Sequence, residues 1–139
     1  MIQFFLLSTT RCLFTFMIAV TIIECGKRYS EATVHNGVAY LAGQVPENTE
    51  GQGIMEQTQD VLNIIDKMLT RAGTDKSHIL MATIYLVDMS EYAGMNEVWD
   101  KWVTPEATPA RATVEVTKLA NPGWKLEIVV TAALPTVHQ

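Results

Sequence analysis

Cysteine and histidine, which bind metals most often in proteins, are scarce in this sequence. Cys12 and Cys25 lie outside any Cys-x-x-Cys or Cys/His spacing, and His35, His78 and His138 are far apart. Zinc sites and disulfide frameworks need such residues at short, repeated intervals. We therefore expect neither, and we interpret each histidine as an ordinary surface or strand-edge residue. No pattern in the chain indicates a metal or an organic cofactor.

Basic residues are too few for a nucleic-acid-binding surface. Ten lysines and arginines stand against fifteen acids, which gives a formal net charge of -5. No basic stripe with interleaved aromatic residues occurs. Proteins that bind nucleic acids concentrate positive charge where it neutralises phosphates. A nucleic-acid partner is therefore disfavoured.

The N-terminal region differs from the rest of the chain, and three interpretations remain open. An apolar run follows Arg11, as in a signal peptide, but no small-x-small cleavage site follows it. A transmembrane helix over residues 2–23 would be interrupted by polar residues. We favour a start at Met17, with residues 1–16 as an upstream extension and residues 17–139 as the domain. A cytoplasmic location is then expected, whereas a real signal or anchor would mean export or membrane anchoring.

The first half of the domain predicts a hairpin and a helix. Residues 31–35 and 38–42 are strand-like runs separated by Asn36-Gly37, a dipeptide that accepts the two positive φ angles of a type I′ turn. Apolar residues then recur at three- and four-residue intervals over residues 54–72, which predicts a helix ended by the glycine that follows.

The second half predicts strand, helix and two further strands. Residues 79–87 are apolar almost throughout, which is typical of a strand covered on both faces. Ser90 is a candidate N-cap for the next helix. Four apolar residues of that helix, among them Trp99 and Trp102, recur at i, i+3, i+4 and i+7, so the tryptophans are predicted to be core residues rather than a ligand cage.

The predicted order of elements is β-β-β-α-β-α-β-β. Residues 19–23 would supply the first strand, and residues 109–116 and 125–134 the last two. This order is typical of an α+β sandwich with both helices on one face of the sheet. The other face must be polar or buried in an oligomer, and the 48% hydrophobic content favours burial.

Two charged residues, Arg111 and Glu127, stand in strand-like apolar runs and need a partner, a ligand or solvent. If the last two strands formed a plain hairpin, the residue facing Glu127 would be near Thr117, roughly 20 Å from Arg111 at the usual strand rise. A mutual salt bridge would then need an intervening strand that changes the register. Otherwise each group acts with a neighbouring subunit, or Arg111 bridges subunits through another acid.

Four segments carry a resemblance to a known family. Pro-Ala-Arg-Ala-Thr-Val (residues 109–114) followed by Leu-Glu-Ile (126–128) resembles the C-terminal signature of the RidA (YjgF) family of enamine/imine deaminases. Tyr-Leu-Ala-Gly-Gln-Val (40–45) resembles the family's third strand, and Met-Asn-Glu-Val-Trp (95–99) resembles its second helix. Because several motifs occur in the right order, the likeness covers roughly residues 20–134.

The resemblance implies a chorismate-mutase-like, YjgF-like fold with a mixed sheet. It also implies a homotrimer in which three sheets form an inner barrel, with small-molecule sites in the clefts between subunits. The implied activity is hydrolysis of 2-enamine and 2-imine acids, such as 2-aminoacrylate, to 2-oxo acids and ammonia without a cofactor. Arg111 would clamp the carboxylate and Glu127 would position water. The alternative is a non-catalytic trimer that binds small carboxylates as a sensor or partner protein.

Further positions are implied by the same resemblance. Tyr29 corresponds to a tyrosine that reaches the site from the adjacent subunit, although the usual Gly-Pro-Tyr-Ser is here one residue longer and lacks the proline. Gly43 matches a glycine whose backbone lines the pocket, and Asn96 matches a structural helix asparagine. Ala42 stands where many members have a substrate-contacting serine, and together with Trp99 and Trp102 it resembles the YoaB-type branch. Ribonuclease and translation-inhibitor roles, also attached to this family, fit poorly with an acidic chain.

Overall fold

In the computed structural model, which describes residues 19–136, six strands form one mixed sheet and two helices pack on one of its faces. The elements are β1 Thr21–Cys25, β2 Ser30–His35, β3 Val38–Leu41, α1 Ile54–Ala72, β4 Ile79–Leu86, α2 Tyr92–Trp102, β5 Ala110–Glu115 and β6 Leu126–Ala133. This confirms the predicted fold class and element order. The proposed extension, residues 1–16, lies outside the described residues.

Strand β6 lies in the interior of the sheet although it is last in the chain. The sheet order is β1-β2-β3-β6-β4-β5, in which β4 and β5 are parallel and the other neighbours are antiparallel. Alternate residues of β6, from Leu126 to Ala132, are buried against the helices. The last two strands are therefore separated by β4 and do not form a hairpin.

The hairpin and the first helix form where local sequence predicts them. Asn36 and Gly37 have φ angles of 51° and 78°, and His35 pairs with Val38, which confirms the tight turn between β2 and β3. Helix α1 ends at Gly73, whose φ of 90° is left-handed and whose N–H donates to the carbonyl of Thr70. Both predictions are confirmed.

One local prediction in the second half is wrong, and a second is met on one face only within a single chain. Asp88, not Ser90, caps the chain before α2: its carboxylate accepts a hydrogen bond from the Ser90 N–H at 2.9 Å and starts a single 3₁₀ turn, Met89–Glu91, that leads into the helix. Within residues 19–136, strand β4 is covered on one face, because both helices pack on the same side of the sheet, and Met81 on the other face is 37% exposed. The prediction that Trp99 and Trp102 are core residues is confirmed.

The sheet face opposite the helices, called the open face below, carries apolar side chains. Strand registers and alternating burial place Ile22, Tyr40, Met81, Val114 and Glu127 on it. The first four are each more than one-third exposed. No element within residues 19–136 packs against this face. Within the same range, no helix is both long enough and apolar enough to cross a membrane.

Candidate functional site

Arg111 lies on β5, an edge strand, and points toward helix α2. It pairs in register with Ala82 of β4, which is fully buried on the helix side of the sheet. Neighbouring strands place paired residues on the same face, so the Arg111 side chain also faces the helices. The register of β5 thus brings a guanidinium under the second helix.

Three side chains of α2 hold this guanidinium. Nη1 of Arg111 donates to Oδ1 of Asn96 at 2.8 Å, and Nη2 donates to the Tyr92 hydroxyl at 3.1 Å. The Cζ atom lies 5.1 Å from the centre of the Trp99 ring and 5.9 Å from that of Tyr92, within the range of cation–π attraction. We call Tyr92, Asn96 and Trp99 the α2 cradle.

The α2 cradle contains no carboxylate. Among residues 19–136, the structure gives Arg111 no ion pair with an acid. The positive charge is therefore fixed in place by neutral groups and is not cancelled by them. A planar guanidinium in this condition can grip a carboxylate through two parallel hydrogen bonds.

Part of the α2 cradle is not predicted from the sequence. Tyr92 has no predicted role, and Asn96 is predicted only as a structural residue. Their spacing is the sequence feature that could indicate a shared role, because positions 92, 96 and 99 are i, i+4 and i+7 and lie on one helix face. The Asn96 hydrogen bond, together with the charge of Arg111, lowers the pKa of the Tyr92 phenol from its ordinary value.

Glu127 lies on the other face of the sheet, beside the loop that follows β3. Its neighbours Leu126 and Ile128 are fully buried on the helix side, so the Glu127 side chain points to the open face. Its carboxylate fills the space where Gly43 would carry a side chain: a Cβ at Gly43 would overlap Oε1 and lie 2.8 Å from Cδ. Gly43 is thus needed for close approach and not for its φ angle.

Backbone hydrogen bonds hold this loop against β6. Gln44 N–H donates to the carbonyl of Ile128 at 2.8 Å, and the Ile128 N–H donates back at 3.0 Å. Ala42 N–H donates to the carbonyl of Glu31, and the Gln44 side chain donates to the carbonyl of Ala42. Gly43 therefore lies beside Glu127, and Ala42 precedes it in the same loop.

The two groups that should act on one substrate lie apart within one chain. Arg111 pairs with Ala82, Ala82 pairs with Val130, and Glu127 is three residues from Val130. Two strand spacings and three residues of rise separate the Cα atoms by roughly 14 Å. The side chains also point to opposite faces. A salt bridge between Arg111 and Glu127 in one chain is thus excluded, because β4 intervenes without bringing them together.

Tyr29 lies far from both groups. It sits in the β1–β2 connection, at the edge of the sheet opposite β5, and it is 65% exposed. It lines a surface cavity of about 310 Å³ together with Glu24, Lys27 and other residues of that connection. A larger cavity of about 640 Å³ lies along the outer side of the helices and contains none of the predicted site residues.

Comparison with known proteins gives the family. The family model described as Endoribonuclease L-PSP matches residues 21–134. A RutC family protein of Haemophilus ducreyi is 52% identical over 115 residues, which cover 83% of this chain and 97% of that protein. The RutC family protein YoaB of Escherichia coli K12 is 42% identical over 112 residues, or 81% of this chain and 96% of that protein.

A solved structure agrees with these sequence matches. The crystal structure of a YjgF family member from Neisseria meningitidis superimposes with a TM-score of 0.83 and 48% identity, covering 86% of this chain and 98% of that one. Sequence and fold are thus matched over nearly the full length of each relative, and the family resemblance of the sequence is confirmed. The chain belongs to the YjgF/RidA family.

Proposed function

We propose that this protein hydrolyses reactive 2-enamine and 2-imine acids to 2-oxo acids and ammonia. The enamine 2-aminoacrylate tautomerises to its imine, and water adds to the C=N carbon to give a carbinolamine. Loss of ammonia from that intermediate leaves pyruvate. The protein must then hold a small carboxylate and direct one water molecule.

The observation that carries the proposal is the uncancelled charge of Arg111. A guanidinium held by Asn96 and Tyr92, with no ion pair to an acid in residues 19–136, is suited to binding the carboxylate of such a substrate. Because the fork is already fixed, little conformational entropy is lost when the ligand binds.

Glu127 supplies the second part of the reaction. Its carboxylate lies against Gly43, where no Cβ blocks access from the loop. A carboxylate there can accept a hydrogen bond from water and take up a proton as water adds to the imine carbon. Ala42, next to Gly43 in the loop, lacks the hydroxyl of a serine, and we expect this to change substrate preference rather than to abolish turnover.

We further propose that the site is completed between subunits of a homotrimer. Arg111 and Glu127 of one chain are too far apart to act on one small molecule, and their side chains point to opposite faces. The apolar, exposed open face is the kind of surface that oligomers bury. Arg111 of one subunit would then meet Glu127 and Gly43 of the next, and Tyr29 would reach the cleft from an adjacent subunit.

A second candidate is a non-catalytic trimer that binds 2-oxo acids. The charge of Arg111, unpaired among residues 19–136, also favours this candidate, because a guanidinium held by the α2 cradle can bind an anion without catalysing a reaction. The missing hydroxyl at Ala42 also favours it, since one substrate contact seen in many family members is absent. The two candidates differ in the role of Glu127, which is required for turnover in the deaminase but has no catalytic role in the binding protein.

The decisive experiment measures loss of 2-aminoacrylate, generated in situ by a serine dehydratase, with and without the purified protein. Arg111→Ala, Glu127→Gln and the exposed-site control Lys118→Ala are compared with the wild type. We expect acceleration that disappears in Arg111→Ala and Glu127→Gln but persists in the control.

Pyruvate binding is measured on the same variants and separates the two candidates. Binding without turnover, lost only in Arg111→Ala, would favour the binding protein. A wild type that neither binds pyruvate nor accelerates the reaction would reject both. Sedimentation of the wild type tests the trimer, and a stable monomer with full activity would contradict a site shared between subunits.

A further inference from the structure

Tyr92, the first residue of α2, occupies an unusual place at the mouth of the α2 cradle. Its hydroxyl accepts a hydrogen bond from Nη2 of Arg111 at 3.1 Å, and its ring is 39% exposed. Asn96 and Trp99 lie deeper along the same helix face. Tyr92 is thus the member of the α2 cradle that stands between the guanidinium and solvent.

The contacts of Arg111 restrict how its fork can turn. One hydrogen bond from Nη1 goes to Asn96 and one from Nη2 goes to Tyr92, so each terminal nitrogen is tied to the same helix. With only the Asn96 bond, the guanidinium could pivot about that contact. The Tyr92 bond removes this freedom and leaves the remaining N–H groups with a fixed direction.

We propose that the neutral Tyr92 hydroxyl positions the Arg111 guanidinium for a carboxylate, and that the Tyr92 phenolate competes with that carboxylate for it. The inference rests on the proposed function, because it takes Arg111 as the group that binds the anion. Tyr92 acts through Arg111 and is a positioning residue.

The charges around Tyr92 give the competition its direction. The largest contribution is the hydrogen bond from Asn96, which favours the phenolate. Arg111, which faces the phenol from β5, also favours the phenolate, whereas Asp100, two turns along α2, disfavours it. The pKa of Tyr92 is therefore lower than that of an ordinary tyrosine. Above this pKa the phenolate and Arg111 form an ion pair, and the guanidinium has less charge to offer a ligand.

The test is calorimetric binding of pyruvate across neutral and alkaline pH. Tyr92→Phe keeps the ring and removes the hydroxyl, and Glu97→Gln, on the exposed side of the same helix, is the matched control. At neutral pH we expect Tyr92→Phe to weaken binding about fivefold, the loss of one exposed hydrogen bond to a charged group. As pH rises, the wild type and the control should lose affinity for pyruvate, whereas the affinity of Tyr92→Phe should stay constant. The plots of affinity against pH should therefore converge or cross.

A second measurement needs no ligand. The ultraviolet absorbance of tyrosinate gives the Tyr92 titration as the difference between wild type and Tyr92→Phe, and Arg111→Ala should move it to higher pH. Pyruvate binding with the same affinity and pH profile in Tyr92→Phe and wild type would overturn the inference and leave the proposed function intact. A wild type that binds no pyruvate would overturn both, while an unmoved titration in Arg111→Ala would overturn only the role of Tyr92.

Discussion

The two halves of the site are held in place by different means. Arg111 depends on side chains, because Asn96, Tyr92 and Trp99 reach it from a helix that packs over its strand. The Glu127 carboxylate instead lies in the space that a side chain at Gly43 would occupy, beside a loop that is hydrogen-bonded to β6 through Gln44 and Ile128. A substitution in the α2 cradle changes the groups that touch Arg111, whereas a side chain at position 43 would move the Glu127 carboxylate itself.

The largest effect is expected where the space of the Glu127 carboxylate is filled. Gly43→Ala places a methyl group in the space of the Glu127 carboxylate, which must move away. A displacement of about 1 Å in such a group can cost roughly 100-fold in rate, so we expect kcat to fall by about that factor. Deaminase assays check it, with urea unfolding to show that the fold is retained.

A double-mutant cycle in the free energy of unfolding tests the cause of that loss. In a Glu127→Ala background the overlap no longer exists, so any destabilisation that Gly43→Ala causes in the wild type should disappear. The same destabilisation in both backgrounds would mean that position 43 acts independently of Glu127.

The next largest effect is expected from placing a charge in the α2 cradle. Asn96→Asp keeps the shape of the side chain but sets a carboxylate beside Nη1 of Arg111, where it competes with the ligand. Pyruvate affinity should fall by about 30-fold while the unfolding free energy is unchanged or higher. Calorimetry and urea unfolding measure the two quantities. Unaltered pyruvate affinity would show that the ligand does not use Arg111.

A smaller effect concerns the loop that follows Gly43. The Asp60 carboxylate on α1 accepts hydrogen bonds from the N–H groups of Glu47 and Asn48 and from the Thr49 hydroxyl. Burial alone would raise the pKa of Asp60, but these bonds outweigh it and the pKa is lowered. Asp60→Asn should therefore lower the unfolding free energy by about 1–2 kcal/mol at neutral pH.

The pH dependence of this contribution has a defined sign. Because the folded-state pKa of Asp60 is below the unfolded value, its stabilisation is complete above the unfolded pKa and is lost as pH falls toward the folded one. Wild type and Asp60→Asn should thus converge in stability in acid. A difference that stays constant down to strongly acidic pH would contradict this account.

The smallest effect is expected from adding a hydroxyl at position 42, next to Gly43 in the loop. Ala42→Ser adds one hydrogen-bonding group there, and one such bond is worth about 1 kcal/mol net. We expect KM for 2-aminoacrylate to change by about fivefold with little change in kcat. Steady-state kinetics decide it, and a large change in kcat would mean that the hydroxyl takes part in the chemical step.

Local chemistry explains why part of this molecule could be predicted from sequence. The Asn36-Gly37 turn and the glycine end of α1 depend on neighbouring residues, and both form as expected. The α2 cradle forms because β5 pairs with β4 and places Arg111 beneath α2. No local sequence pattern encodes this arrangement, so the sequence does not predict a role for Tyr92. The position of β4 between β5 and β6 is equally non-local. Sequence could therefore name Arg111 and Glu127 but not the faces on which they lie.

The central position of β6 has a consequence for biosynthesis. Val38 pairs with Ala133 and Leu86 pairs with Leu126, so the last strand joins the hairpin at the start of the domain to the β4–β5 pair. During translation these two parts cannot become one sheet until the final strand has left the ribosome. A chain cut short before residue 126 would lose the centre of its sheet and would leave two unpaired strand edges exposed to aggregation.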